Sequence, residues 1–235
     1  MSRIFLSVSV TVLNGMISTP PNPPPQNRER VEIDKQESAF ITAASSLVRI
    51  SQFILILATL CESLIVIAVR YPSTISSIVL STLLPNEVSA QEVGVNPLAL
   101  IAWAIAVMGC LLRYSSINAL GQLFTYQLAI RNGHVLVTTG PYAVVRHPAY
   151  TGSITAALGT GIFFLGPGSY AYAGKILRSK AGAPCTFVWL GWKLFMCYNV
   201  VRRTAHEDEF LRNKFGQSWV SWSQRVRYRL VPGLY

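Results

Sequence analysis

The sequence predicts an all-α, polytopic membrane protein with about five spans and a polar site at the cytosolic end of its C-terminal helices. Three observations carry this. Of 235 residues, 51% are hydrophobic and 13% charged, against roughly 25% charged in soluble domains, and the mean hydropathy is +0.39. Several apolar runs approach or reach the ~20 residues a helix needs to cross the hydrocarbon core. No period-2 alternation supports an outer-membrane barrel.

Residues 4–17 form a short apolar run behind Arg3, a leader-like segment or a weak first span. Pro20, Pro21, Pro23, Pro24 and Pro25 then impose an extended linker. Residues 26–38 are charged, so residues 1–45 read as peripheral or disordered. Residues 46–96 read as N-terminal transmembrane helices. The first convincing span is Ser46 to Val69, closed by Arg70 and Pro72, and it holds Glu62. A carboxyl at that depth is either functional or satisfied by a partner. Residues 74–84 are a half-length apolar stretch ended by Pro85.

Pro97 to Leu112 is the next span, stopped by Arg113, and residues 114–131 read as an amphipathic interfacial helix. Tyr150 to Leu165 is a further span whose Gly152, Gly159, Gly161, Ala156 and Ala157 permit close packing. Residues 167–183 are loop-like. Pro184 to Val201 is the last span, with Trp189, Trp192 and Tyr198 as interface anchors. An amphipathic helix around Glu207 to Phe215 follows, broken at Gly216.

The net charge of +10 collects in loops and the C-terminal tail, where cytosolic positive bias and anionic lipid account for it. No nucleic-acid-binding motif accompanies it, so nucleic acid is not an expected partner. Cys61, Cys110, Cys185 and Cys197 lack zinc spacing or a disulfide framework and read as packing residues; no metal is expected. If the last two spans each cross once, residues 113–148 share a face with the tail. Arg202, Arg203, Arg212, Lys214, Arg225, Arg227 and Arg229 make that face cytosolic, although Lys175, Arg178 and Lys180 oppose them from the other side.

Chemistry concentrates in two stretches. In residues 133–152, Gly140-Pro141 signals a turn, and Pro148 biases His147 out of the helical region, so a helix starts at Pro148 with Arg146 and His147 at its mouth. Such a start favours an acceptor or anion nearby. In the second stretch, Arg203 and Glu207 lie four apart and share a helix face. Alone, such a pair contributes under ~1 kcal/mol. Facing the Arg146-His147 loop beside lipid, it forms a pocket for a ligand with one charged and one apolar end.

Arg146-His147-Pro148-Ala149-Tyr150-Thr151-Gly152 resembles the R-H-P-x-Y-x-G signature of isoprenylcysteine carboxyl methyltransferases and their phospholipid-methylating relatives. Arg203 to Leu211 is similar to their R-x-x-x-E-E-x-x-L element, with Asp208 in place of the second acid. His134 to Thr138 matches their H-x-L-V-T, and Arg225 to Gly233 their basic Pro-Gly tail. The resemblance covers residues 97–235, which it makes the catalytic core, and the 167–183 insertion has no counterpart in it.

It implies a site for S-adenosyl-L-methionine made by Gln127, His134, Val135, Leu136, Val137, Tyr142, His147, Pro148, Ala149, Tyr150 and Glu207. It also implies that Arg203 holds the substrate carboxylate, that Arg146 supports that carboxylate or the cofactor's own, and that the partners are prenylated proteins at the endoplasmic reticulum membrane. Phospholipid N-methylation, a nicotinamide-dependent membrane reductase and a non-catalytic scaffold are the alternatives.

Overall fold

The computed structural model describes residues 1–23, 35–84, 90–125, 133 and 135–234, with side chains of 35–45 left aside. Regular structure among the described residues is helical: α1 Ser2–Ser18, α2 Lys35–Arg70, α3 Thr74–Leu83, α4 Pro97–Leu120, α5 Pro148–Leu165, α6 Tyr170–Ala173, α7 Gly182–Phe215 and α8 Gln217–Arg225. Among the described residues, two helical stretches are long and apolar enough to cross a membrane, Ser46–Arg70 and Pro97–Leu123, at 25 and 27 residues. Helix α5, at 18 residues, opens on polar residues, and α7 is apolar only in its first half.

The framework is the α4–α5 pair. Asn96 caps α4 by accepting from the Ala99 nitrogen at 2.8 Å, with Pro97 at the first helical position. Small residues then bring the two backbones together. A Cβ on Gly109 would strike the backbone of Ala156, one on Gly159 that of Ala106, and one on Gly152 would lie 2.5 Å from the Arg113 nitrogen. This packing leaves no room for the start of α5 to shift relative to α4.

Three expectations are corrected. Helix α1 is not peripheral: Leu6, Val10 and Ile17 are buried against the helices around them. Arg3, 2% exposed, donates through Nε and a terminal nitrogen to both oxygens of Glu62 at 3.0 and 2.8 Å. The Ser7 hydroxyl and the Tyr170 backbone N–H complete the Glu62 carboxylate, and the Phe163 carbonyl accepts from Arg3. Glu62 is thus a partner-satisfied group. Arg3→Leu is expected to destabilise the protein by about 3–5 kcal/mol through an uncompensated buried carboxylate. Arg3→Leu with Glu62→Leu should recover most of it, checked by thermal unfolding in detergent.

Helix α4 does not stop at Arg113 but continues to Leu120. Arg113 stays inside because the Ile17 carbonyl (3.1 Å), the Ala149 carbonyl (3.3 Å) and the Ser153 hydroxyl (2.6 Å) accept from it. The expected interfacial helix over 114–131 therefore begins as the end of α4, and its residues 126–131 lie outside the described residues. Helix α7 is likewise one piece of 34 residues, joining the apolar run after Pro184 to the polar segment around Glu207. It ends at Gly216, where φ is +52°, a conformation glycine adopts without strain.

Candidate functional site

Helix α5 begins at Pro148 as the proline requires, with His147 immediately before it in a non-helical conformation (φ −126°, ψ 60°). Gly140 (φ +61°) and Pro141 set the turn that leads into this loop. Continuity of α7 carries Arg203, Glu207 and Asp208 from the end of its apolar half to the mouth of α5.

The two stretches meet on the α7 carboxylates. The Arg203 Nε donates to Glu207 Oε1 at 2.9 Å, and the Tyr150 hydroxyl donates to the same oxygen at 2.6 Å. His147 stands between the two acids, its Nδ1 3.4 Å from Glu207 and its Nε2 3.0 Å from Asp208. Asp208 also takes Arg229 Nε at 2.9 Å and lies 3.4 Å from Arg146. His147 stacks on Tyr150 with ring centroids 6.0 Å apart, and the Arg146 guanidinium lies 5.7 Å from the Trp219 ring.

Burial alone would push Glu207 up. The hydrogen bond from His147 and the charges of Arg203 and His147 outweigh it, holding Glu207 at about 2. Asp208 is lowered against its own burial by His147, Arg146 and Arg229. Burial would lower His147, but its hydrogen bonds to Asp208 and Glu207 prevail and raise it, favouring the imidazolium with both nitrogens donating.

These shifts fix a pH dependence. Between the ordinary glutamate value of 4.5 and about 2, the unfolded chain binds a proton at this position that the folded chain does not. Stability from Glu207 is therefore fully present above pH 4.5 and is lost as pH falls toward 2, by about 3 kcal/mol at most. The His147 contribution has the opposite sign: it is present below the ordinary histidine range and fades as pH rises through the raised value. Thermal unfolding against pH should show the acid limb in the parent protein and a flattened limb in Glu207→Gln.

Of the residues singled out from the sequence, Arg203, Glu207, His147, Tyr150 and Arg146 form this one cluster. Pro148 and Ala149 are buried in the first turn of α5, where the Ala149 carbonyl is engaged by Arg113 and Ser153. Tyr142, Leu136 and Val137 pack with Trp219, Trp222, Val226 and Phe215 into an apolar wall beside the cluster. Val135, Leu136 and Thr138 face Phe215, Ser218, Ser221 and Arg225 across an open groove. Gln127 and His134 lie outside the described residues.

Several participants carried no assignment from the sequence. Asp208 was only a departure from a motif, Arg229 one basic residue among many, and the indoles of α8 had no recognised role. The Trp222 Nε1 donates to the Tyr142 carbonyl at 3.2 Å, fixing α8 against the loop. The period of Trp219, Trp222 and Val226 was the available signal, an apolar stripe in a polar tail.

Residues 85–180 match the isoprenylcysteine carboxyl methyltransferase family. Protein-S-isoprenylcysteine O-methyltransferase B of Arabidopsis thaliana is 30% identical over 122 residues, 51% of this chain and 52% of that protein. The protein-S-isoprenylcysteine O-methyltransferase of Schizosaccharomyces pombe is 31% identical over 121 residues, 51% of this chain and 43% of that protein. A Delta(14)-sterol reductase of Neurospora crassa is 27% identical over 127 residues, 46% of this chain but 25% of that protein. The chain spans about half the length of the methyltransferases it matches. No solved structure matches it. The matched region contains α4, α5 and the Arg146–Tyr150 loop, so the likeness of this chain to the isoprenylcysteine carboxyl methyltransferase family falls on one of the two stretches that build the cluster.

Proposed function

We propose that this chain is a protein-S-isoprenylcysteine O-methyltransferase: it methylates the C-terminal carboxylate of an isoprenylated cysteine with S-adenosyl-L-methionine as donor. One observation carries the reading. Arg203 and His147, 56 positions apart in sequence, both engage Glu207, so one small ligand can touch both motifs. The site is assigned to the cytosolic face of the endoplasmic reticulum membrane, with the bilayer and prenylated proteins as partners.

The donor set fits the proposed cofactor. Glu207 is ionised at neutral pH and its side chain is 19% exposed, an acceptor for the cofactor's hydroxyl or ammonium groups. The apolar wall of Tyr142, Leu136 and Val137 suits an aromatic base. We assign cofactor binding to Gln127, His134 to Val137, Tyr142, His147 to Tyr150, and Glu207. When bound, S-adenosyl-L-methionine supplies an electrophilic methyl group on a sulfonium.

The chain's own residues supply placement. The acceptor carboxylate is already ionised at pH 7, so no general base is required. Arg203, fixed by its Nε bond to Glu207, holds one carboxylate oxygen and leaves the other to react, while Arg146 adds positive potential. Orienting two reactants contributes up to ~7–11 kcal/mol, and Trp219, Trp222 and Tyr142 keep water from one side. An amine acceptor would meet a guanidinium where it needs a base, which disfavours phospholipid N-methylation.

The test incubates membranes containing the chain with methyl-labelled S-adenosyl-L-methionine and either N-acetyl-S-farnesylcysteine or phosphatidylethanolamine. Label in a base-labile ester of the farnesylcysteine supports the proposal. Label only in the lipid, or in neither, overturns it.

A further inference from the structure

The C-terminal segment after α8 is bonded into the site backbone to backbone. Successive N–H groups of Arg146 and His147 donate to the successive carbonyls of Tyr228 and Arg229, at 3.0 and 2.9 Å. The Thr151 hydroxyl, one turn into α5, donates to the Leu230 carbonyl at 2.7 Å. Leu230 is 4% exposed. This connection delivers the Arg229 side chain to Asp208, where its Nε lies 2.9 Å from Oδ2 while Oδ1 faces His147 Nε2 at 3.0 Å. The two oxygens of Asp208 therefore work in opposite directions, one anchored by the tail and one aimed at the imidazole.

We propose that Arg229 is a positioning residue of this site: by anchoring Asp208 it fixes the ring plane of His147, and thereby the presentation of His147 and Glu207 to the methyl donor. The cofactor part of this inference rests on the methyl-donor reading above. An aspartate on a helix surface ordinarily exchanges between rotamers. A guanidinium held by its own backbone removes that freedom, and a carboxylate so fixed orients a histidine as an outer-shell acid orients a ligating one. The charged groups facing His147 are Glu207 and Asp208 from α7, with Tyr150 from α5 stacked on the ring; those facing Asp208 are His147, Arg146 and Arg229.

The experiment uses the full chain in detergent, with Arg229→Gln, Asp208→Asn, the double variant and Arg229→Lys. Calorimetric titration with S-adenosyl-L-methionine should show about tenfold weaker binding for Arg229→Gln. The double variant should bind no more weakly than Asp208→Asn alone, since Arg229 acts through Asp208. Arg229→Lys, which keeps the cation, should recover most of the affinity. The backbone bonds of residues 228–230 do not pass through the substituted side chains, so every variant should still unfold in a single cooperative transition, its midpoint lowered only by the lost ion pair. Parent-like affinity of Arg229→Gln, or losses that multiply in the double variant, would overturn the proposal.

The imidazole NMR signal of His147, assigned with His147→Ala, gives a second readout that needs no donor. It should change in Arg229→Gln, and the double variant should give the same signal as Asp208→Asn alone. If the parent protein fails to bind the donor, the methyl-donor reading falls, and an unchanged His147 signal in Arg229→Gln overturns the role of Arg229 separately.

Discussion

Arg203→Ala is expected to cut kcat/KM for a farnesylcysteine acceptor by about two to three orders of magnitude, the cost of removing one partner of a largely desolvated charge pair. Two effects combine. The acceptor carboxylate loses the guanidinium that would orient it, and Glu207 loses the 2.9 Å bond that fixes its Oε1. The first dominates, because Glu207 keeps Tyr150 and His147. The loss should therefore fall mainly on the acceptor, with donor affinity changed only severalfold. Arg203→Lys should lie between, since an ammonium keeps the charge but not the planar fork. Steady-state assays varying each substrate in turn check this. Undiminished turnover in Arg203→Ala would remove the clamp role.

Glu207→Gln is expected to show the complementary pattern, with donor affinity down by about one to two orders of magnitude. The substitution is nearly isosteric, yet it removes the charge that holds His147 and Arg203 at once. The amide nitrogen would also face cations where an anion stood. Calorimetry with the donor alone reads this directly, and an affinity equal to the parent's would exclude Glu207 from the cofactor site. The two variants together separate the acceptor end of the site from the donor end.

The site's plan was readable where chemistry is local. Pro148 announces its own helix start and constrains His147. The four-residue spacing of Arg203 and Glu207 puts both on one helix face, and Gly216 marks the end of α7. What brings the two stretches together is the contact of His147 and Tyr150 with Asp208 and Glu207 rather than the count of apolar runs between them. What stayed hidden depends on partners far away in the chain.

Arg3 ahead of an apolar run has the look of a leader because its counterion, Glu62, lies 59 positions on. Arg113 reads as a stop because the sequence does not display the two carbonyls and the hydroxyl that satisfy it. Arg229 is indistinguishable from Arg225 and Arg227 until the backbone of Arg146 and His147 selects its neighbours. In each case a buried charge is accommodated by a nonlocal set of acceptors, a kind of information that periodicity and spacing do not contain.

The central claim is that the Arg146–Tyr150 loop and the Arg203–Asp208 segment form one methyl-donor site. Ultraviolet cross-linking of methyl-labelled S-adenosyl-L-methionine to the detergent-solubilised chain, followed by peptide mapping, tests it most directly. Label is expected in peptides from residues 135–150 and from residues 203–211 of the same preparation, displaced by excess S-adenosylhomocysteine. Displaceable label on only one of these segments, or on neither, would contradict it.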